Sequence, residues 1–167
     1  MNGIEQLCPN CGLCCNGVLF GDVELQKGDD ASRLIGLGLP LKEKGTKRVF
    51  VQPCACFDGK LCQIYGGRPA RCRTFECGLL KRVQGGDMEV KDALKRIDET
   101  LRLVEKVRRL LRASGQTDEH LALTHRYKQV MAAPIDLGGD EAAAENCGKL
   151  MLAVNDLMQV VHCDFLK

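Results

Sequence analysis

Nine cysteines between Cys8 and Cys77 constrain this chain more than any other feature. They run Cys8-x2-Cys11-x2-Cys14-Cys15 and then, after a gap, Cys54-x-Cys56, Cys62, Cys72 and Cys77, with no histidine among them. The thiolate is the form of cysteine that binds metal, and a C-x2-C step presents two thiolates from one short turn of backbone. The half of the chain that holds them is therefore expected to fold around a cysteine-ligated metal centre. Packing alone is a poor account of nine thiols spaced in this way. In a reducing compartment such cysteines are ligands or redox thiols rather than disulfides, and an odd number leaves one unbridged.

Composition sets the outer limits. The chain has 167 residues, enough for one domain or two small, closely packed lobes. Hydrophobic residues make up 45% but aromatic ones only 4%, so aliphatic side chains must fill the core. With 24 basic and 22 acidic residues the net charge is +2, which gives no case for a nucleic-acid partner. The opening MNGIEQLCPNCG has neither the basic flank nor the apolar core of a signal peptide. No apolar run approaches the roughly 20 residues that span a bilayer. The most apolar long segment, Leu150 to Val161, is broken by Asn155 and Asp156. The expectation is a cytoplasmic protein with no membrane contact.

Residues 8–15 are rich in Cys, Gly and Pro and predict an irregular loop, with Asn10 and Gly12 as candidates for positive φ. Gly17 to Leu25 reads as a short strand with a turn at Gly21, and Lys47 to Gln52 as a second strand feeding into Pro53-Cys54. Between them a short helix from Asp30 to Leu37 would be capped by Asp29 or Asp30 and ended by Gly38 and Pro40. Asp58-Gly59 marks a turn, followed by Cys62 and Tyr65 on a strand. Pro69 opens a helix through Arg71, Arg73, Phe75 and Leu79. Were that helix continuous, Cys72 and Cys77 would lie about 140° apart around its axis. Either the backbone breaks between them or they serve different sites.

Gly85-Gly86 changes the character of the chain. A helix from Met88 to Ala113, capped by Asp87, carries Val90, Leu94, Ile97, Leu101, Val104, Val107 and Leu111 at steps of three and four. A second helix starts at Thr117, with Asp118 and Glu119 in its first turn, and stops before Pro134. A third follows Asp140 and aligns Ala143, Cys147, Leu150, Val154, Leu157 and Val161. Short connections make the three antiparallel neighbours. On that stripe Cys147 reads as a packing residue. His162-Cys163 is a poor chelating pair because the two are adjacent, and His120 and His125 are spaced wrongly for one helix face.

Four sulfurs around one ion make a tetrathiolate zinc site. A [4Fe–4S] cluster also takes four, and Cys8, Cys11 and Cys14 form the ferredoxin-like triplet that reaches three corners, with Cys54 as a reasonable remote fourth. Cys14 and Cys15 are adjacent, so their side chains tend to diverge, which suggests two neighbouring centres or one ligand beside a free thiol. Nine thiols allow two tetrathiolate sites and a spare, or a multinuclear zinc cluster. Lys60, Arg68, Arg71, Arg73, Lys81 and Arg82 lie close by in sequence and can offset thiolate charge, although singly each reads as a solvated cation.

The pattern C-x2-C-x2-C-C, P-C-x-C, C-x-I-Y, R-P-x-x-C-R-x-F and a last C resembles the CxxCxxCC, or YkgJ-like, cysteine-cluster family of zinc- or iron-chelating domains. It is carried by Cys8, Cys11, Cys14, Cys15, Pro53, Cys54, Cys62, Ile64, Tyr65, Arg68, Pro69, Cys72, Arg73, Phe75 and Cys77. The resemblance spans about residues 7–80, and Cys56 stands outside its usual pattern. It implies metal binding, with Cys8, Cys11, Cys14, Cys15, Cys54, Cys62, Cys72 and Cys77 as the candidate ligands. Related clusters in flagellin lysine methylases point towards iron–sulfur chemistry, but no S-adenosylmethionine-binding motif is recognisable here.

The expected architecture is α+β: a small irregular cysteine-rich metal-binding lobe with short strands over residues 1–84, then a three-helix lobe over 85–167. The cofactor is an iron–sulfur cluster, slightly favoured by the triplet and the lack of histidine, or zinc. Three functions stay open. One is a metal-binding protein without catalytic machinery, whose helical lobe offers a surface to a protein partner. Another is an iron–sulfur-dependent redox enzyme or electron carrier. The third is a metal-delivery protein.

Overall fold

The computed structural model describes residues 3–133 and 141–167. It opens not on a loop but on a helix, α1 (Gly3–Cys11). The correction has a local cause. Cys8 and Cys11 are three residues apart, so one helical turn sets both on one face. Pro9 removes a single backbone donor. Asn10 stays helical, its amide donating to the Gln6 carbonyl at 2.9 Å. Gly12, at φ +65°, then ends the helix in the left-handed conformation. Its carbonyl accepts the N–H groups of Cys15 (2.9 Å) and Asn16 (3.0 Å), folding Cys14-Cys15 back behind the helix end.

Strands β1 (Asp22–Glu24), β2 (Lys42–Lys44) and β3 (Lys47–Val51) make an antiparallel sheet in the order β1-β3-β2. Val23 faces Phe50 and Lys44 faces Lys47. β1 and β3 occupy the two segments read as strands. β2 is exposed throughout, so no apolar alternation marks it in the sequence. Helix α2 (Ala31–Gly36) is capped by Asp30, which accepts the Arg33 N–H at 2.9 Å. Val23, Leu34, Leu39, Phe50, Cys54 and Cys56 form a small apolar core beneath this layer.

Cys62 pairs with Phe57 only as an isolated bridge, and Tyr65 lies in a 3₁₀ turn (Tyr65–Gly67) rather than on a strand. The segment after Pro69 is two helices, α3 (Ala70–Thr74) and α4 (Gly78–Gly85), with Phe75 and Cys77 extended between them. The backbone therefore breaks between Cys72 and Cys77.

Gly86, at φ +82°, closes α4, and α5 (Val90–Ala113) follows with Glu89 rather than Asp87 at its cap. Helix α6 (Leu123–Ala132) begins at Leu123, not Thr117. Asp118 spends its carboxylate on the His120 N–H (3.0 Å) in a turn, and Leu123 N–H donates to the Gly17 carbonyl (2.9 Å), docking α6 against the cysteine loop. Helix α7 (Glu141–Val160) runs on into a π turn (Val161–Phe165). The expected stop at Pro134 and start at Asp140 lie outside the described residues.

α5 and α7 are antiparallel. Asn146 bonds the Leu110 carbonyl (3.3 Å) at one end, while Asp164 meets Arg96 (3.5 Å) at the other. The main core takes Leu150, Ala153 and Leu157 from α7, Val161 from the π turn, and Ile97, Val104 and Leu111 from α5. It continues without interruption into Leu7, Leu13 and Val18 beside the first cysteines. Ala143 is exposed and Cys147 only half-buried, so the buried face of α7 starts later than its apolar stripe suggests. Among the described residues no helix is long and apolar enough to cross a membrane.

Candidate metal centre

All eight candidate ligands line one cavity of about 1020 Å³, between the small core and the main core. Cys56 does not line it. Its thiol donates to the Leu37 carbonyl at 3.5 Å and packs in the small core. Cys147 and Cys163 are also absent from the lining.

The eight thiols fall into two groups. Cys8 and Cys11 come from adjacent turns of α1, Cys14 from the turn after Gly12, and Cys77 from the extended break before α4. Charge on Cys77 or Cys8 makes Cys11 and Cys14 harder to ionise, and charge on Cys77 does the same to Cys8. Cys11, Cys14 and Cys77 pack against the main core. Leu13, fully buried, anchors the turn between them. Cys77 is held from behind: a Cβ added at Gly78 would sit 2.7 Å from the Asp164 carbonyl oxygen and 2.8 Å from that of Lys167. Asp164 is fixed in turn by Arg82 at 2.7 Å, so this cation serves the scaffold rather than the thiols.

Cys15, Cys54, Cys62 and Cys72 make the second group. The Cys54 N–H donates to the Cys15 carbonyl at 2.8 Å, which joins the two sequence clusters directly. Asp58 accepts the N–H groups of Lys60 (2.8 Å) and Leu61 (2.7 Å), and those bonds hold its carboxyl below the usual range while turning Cys62 back towards Cys54. Asp29 accepts the Ala70 N–H at 2.9 Å and the Gln26 N–H at 2.8 Å, tying the start of α3, and with it Cys72, to the loop before α2. Cys54 and Cys62 oppose the ionisation of both Cys15 and Cys72. Cys15 and Cys72 pack against the small core. The consecutive residues Cys14 and Cys15 therefore belong to different groups, although charge on Cys15 also reaches Cys14.

Burial is the first cause that pushes these thiols up, and mutual repulsion adds to it. Cys11 and Cys15 rise to about 12, Cys54 and Cys72 to about 11, and Cys8 and Cys14 are raised as well. A thiol tuned for nucleophilic attack is shifted the other way. Desolvated thiols that oppose one another's charge become stable thiolates only beside a cation, which is the chemistry of a metal-ligand set. Among the described residues, no three Cys, His, Asp or Glu side chains are drawn around one point closely enough to hold an ion as placed. The thiols instead ring the cavity wall.

Arg68 spans the two groups. Its charge favours ionisation of Cys8 in the first and of Cys15 and Cys72 in the second. Its guanidinium carbon lies 3.6 Å over the Tyr65 ring, and its Nε donates to the Tyr65 carbonyl at 2.9 Å. Lys60, Arg71 and Lys81 also line the cavity, whereas Arg73 does not. The roles of Asp29 and Gly78 escape sequence reading, because each acts on a segment remote in the chain.

The model of the CxxCxxCC family, described as "Putative zinc- or iron-chelating domain", matches residues 7–99, more than half of the chain. No curated protein and no solved structure matches it.

Proposed function

The chain belongs to the CxxCxxCC family of zinc- or iron-chelating domains, and we propose that it carries two tetrathiolate centres. One takes Cys8, Cys11, Cys14 and Cys77; the other takes Cys15, Cys54, Cys62 and Cys72. The carrying observation is that all eight thiols line one cavity, with Cys11, Cys14 and Cys77 packed against the main core and Cys15, Cys54 and Cys72 in or against the small one. Each set uses cysteines remote in sequence, so bound metal would tie together segments that the sheet and α1 alone leave loosely joined. Cys56 is the spare thiol.

Iron–sulfur clusters are the favoured occupants, with zinc as the alternative. Zinc–sulfur bonds of about 2.3 Å would bring four sulfurs to roughly 3.8 Å from one another. A [4Fe–4S] cluster sets each thiolate on a separate iron and needs a wider ring, and among the described residues no three of the thiols close around one point. On this reading the protein is a metal-binding module, and its own side chains hold and shield the centres.

The test is anaerobic purification followed by a visible spectrum and analysis of iron, zinc and acid-labile sulfide, on the wild type and on Cys11→Ser and Cys72→Ser. The expected result is absorbance near 400 nm with iron matched by sulfide, and loss of about half the metal in each variant. Stoichiometric zinc in a colourless protein would replace the clusters and keep the two sites. Unchanged metal in both variants, or complete loss in both, would overturn the two-centre assignment.

A further inference from the structure

A second, smaller pocket of about 100 Å³ lies apart from the thiol cavity, lined by Asn16, Pro53, Arg108, Glu119, Leu121, Leu123 and Arg126. Its position is informative. Asn16 follows Cys15 and Pro53 precedes Cys54, so the pocket is the rear face of the loops that carry two thiols. Arg126 is the largest fully buried side chain among the described residues, only 2% exposed. A charge so deep in the protein requires a counter-charge and bonds for its donors. It has few. Among the described residues its Nη2 donates to the Gln116 carbonyl at 3.1 Å, its Nε is buried with no acceptor, and its nearest carboxylate oxygen, on Glu119, is 3.9 Å away. That carboxylate is already engaged by Arg112 at 2.9 Å.

Arg108 adds a second guanidinium to the lining, half-buried and with no ion pair among the described residues. The pocket walls thus offer two guanidinium groups against one shared carboxylate. Asn16 has its oxygen occupied by the Val18 N–H at 3.1 Å, which leaves its amide nitrogen as a further donor. The first turn of α6, through Leu123 and Arg126, presents the positive end of its helix dipole on the same side. About 100 Å³ is room for roughly three water molecules, or for one small polyatomic ion.

We propose that this pocket binds a small oxyanion, of the phosphate, sulfate or carboxylate class, held by Arg108 and Arg126. The ion supplies the acceptors that Arg126 lacks and balances the excess guanidinium charge. It also sits behind the Cys15 and Cys54 loops without touching a thiol, so the site is independent of which metal the cavity takes.

The metal-loaded full chain is titrated with inorganic phosphate, and separately with acetate, against chloride at constant ionic strength. Calorimetry follows binding, and the arginine Nε–H resonances report where it occurs. The expected result is saturable binding of one phosphate per chain, with the Arg126 Nε–H signal shifting as the site fills. Saturation by acetate rather than phosphate would assign the site to carboxylates and keep the proposal. Arg108→Gln, at a half-buried position with no ion pair to lose, is expected to fold normally and to bind about tenfold more weakly or less. No saturable binding of either anion, or equal affinity in Arg108→Gln, would overturn it. Arg126→Gln is the stronger variant but removes a buried side chain, so the Arg108 result decides.

Discussion

Two glycines in helices give the sharpest test of how Cys77 is held. Gly78 opens α4 directly after Cys77, and Gly148 lies inside α7. At Gly148 an added Cβ meets nothing within 4 Å, so alanine there should gain the helical preference it has over glycine, about 0.5–1 kcal/mol. At Gly78 the same methyl would come within 2.7 Å and 2.8 Å of two backbone oxygens, those of Asp164 and Lys167. Backbone carbonyls cannot swing aside as a side chain can, so the π turn after α7 must lift away from α4. Overpacking of this kind costs about 1–3 kcal/mol, and a first-turn position recovers little helix preference in return.

Substitution of the same residue type should therefore move stability in opposite directions. For a chain of this length about 1 kcal/mol corresponds to roughly 2–4 °C in Tm, so Gly78→Ala is expected to melt roughly 2–12 °C lower and Gly148→Ala a few degrees higher. Thermal and urea unfolding measure both, with metal content read on the same samples. Displacing the π turn also unseats the support behind Cys77, so Gly78→Ala should lose metal from the first group and keep the second. Wild-type stability and full metal in Gly78→Ala would refute the packing of that turn on α4 and its role in placing Cys77.

Other substitutions separate ligands from their surroundings. Cys56→Ala should keep its full metal complement and lose about 1 kcal/mol, because its thiol packs in the small core, donates to the Leu37 carbonyl and does not line the cavity; metal loss would make Cys56 a ligand. Arg68→Gln should weaken metal retention by both groups in a chelator competition while barely changing the fold of the loaded protein, and an effect on one group alone would deny its shared position. The reduced, metal-free protein should lose stability as pH rises from about 9 through 12. Its half-buried and buried thiols have pKa values raised above the ordinary 9.0, so their protonated forms favour the fold below that pH and their ionisation opposes it above. The metal-loaded protein, its ligands already ionised, should show a smaller fall in Tm between pH 8 and 10.5.

Legibility followed the range of the forces involved. The long helices were readable because Ile97, Val104, Val107 and Leu111 repeat at a helical period against a single core. The short helix after Asp30 was readable because its cap is local. The first cysteines form a helix where composition predicts a loop: density of Cys, Pro and Gly is a compositional signal, while the spacing of Cys8 and Cys11 and the left-handed Gly12 are what the backbone obeys. β2 has no apolar face to announce it, and the true start of α6 depends on a bond from Leu123 to Gly17, more than 100 residues earlier.

The eight cysteines that line the cavity are readable from the sequence as a set, and their arrangement in it is not. Spacing alone groups Cys8, Cys11 and Cys14 with Cys54 as a remote fourth, and the adjacency of Cys14 and Cys15 suggests two neighbouring centres or one ligand beside a free thiol. The fold keeps that divergence and moves Cys54 away from the triplet, because two cores stand ready to receive the consecutive side chains. Cys14 turns to the main core and Cys15 to the small one. Cys54 then follows Cys15, to whose carbonyl it is bonded, and the break after α3 sends Cys77 back to the group that Cys15 left. Phe20 touches both cores and meets Phe75 edge-on, with ring centroids 5.0 Å apart, so the same break that frees Cys77 also closes the seam between the two groups. On the two-centre reading the Cys14-Cys15 pair would commit neighbouring residues to separate centres, and the pairing of each with its remote cysteines would follow from long-range packing.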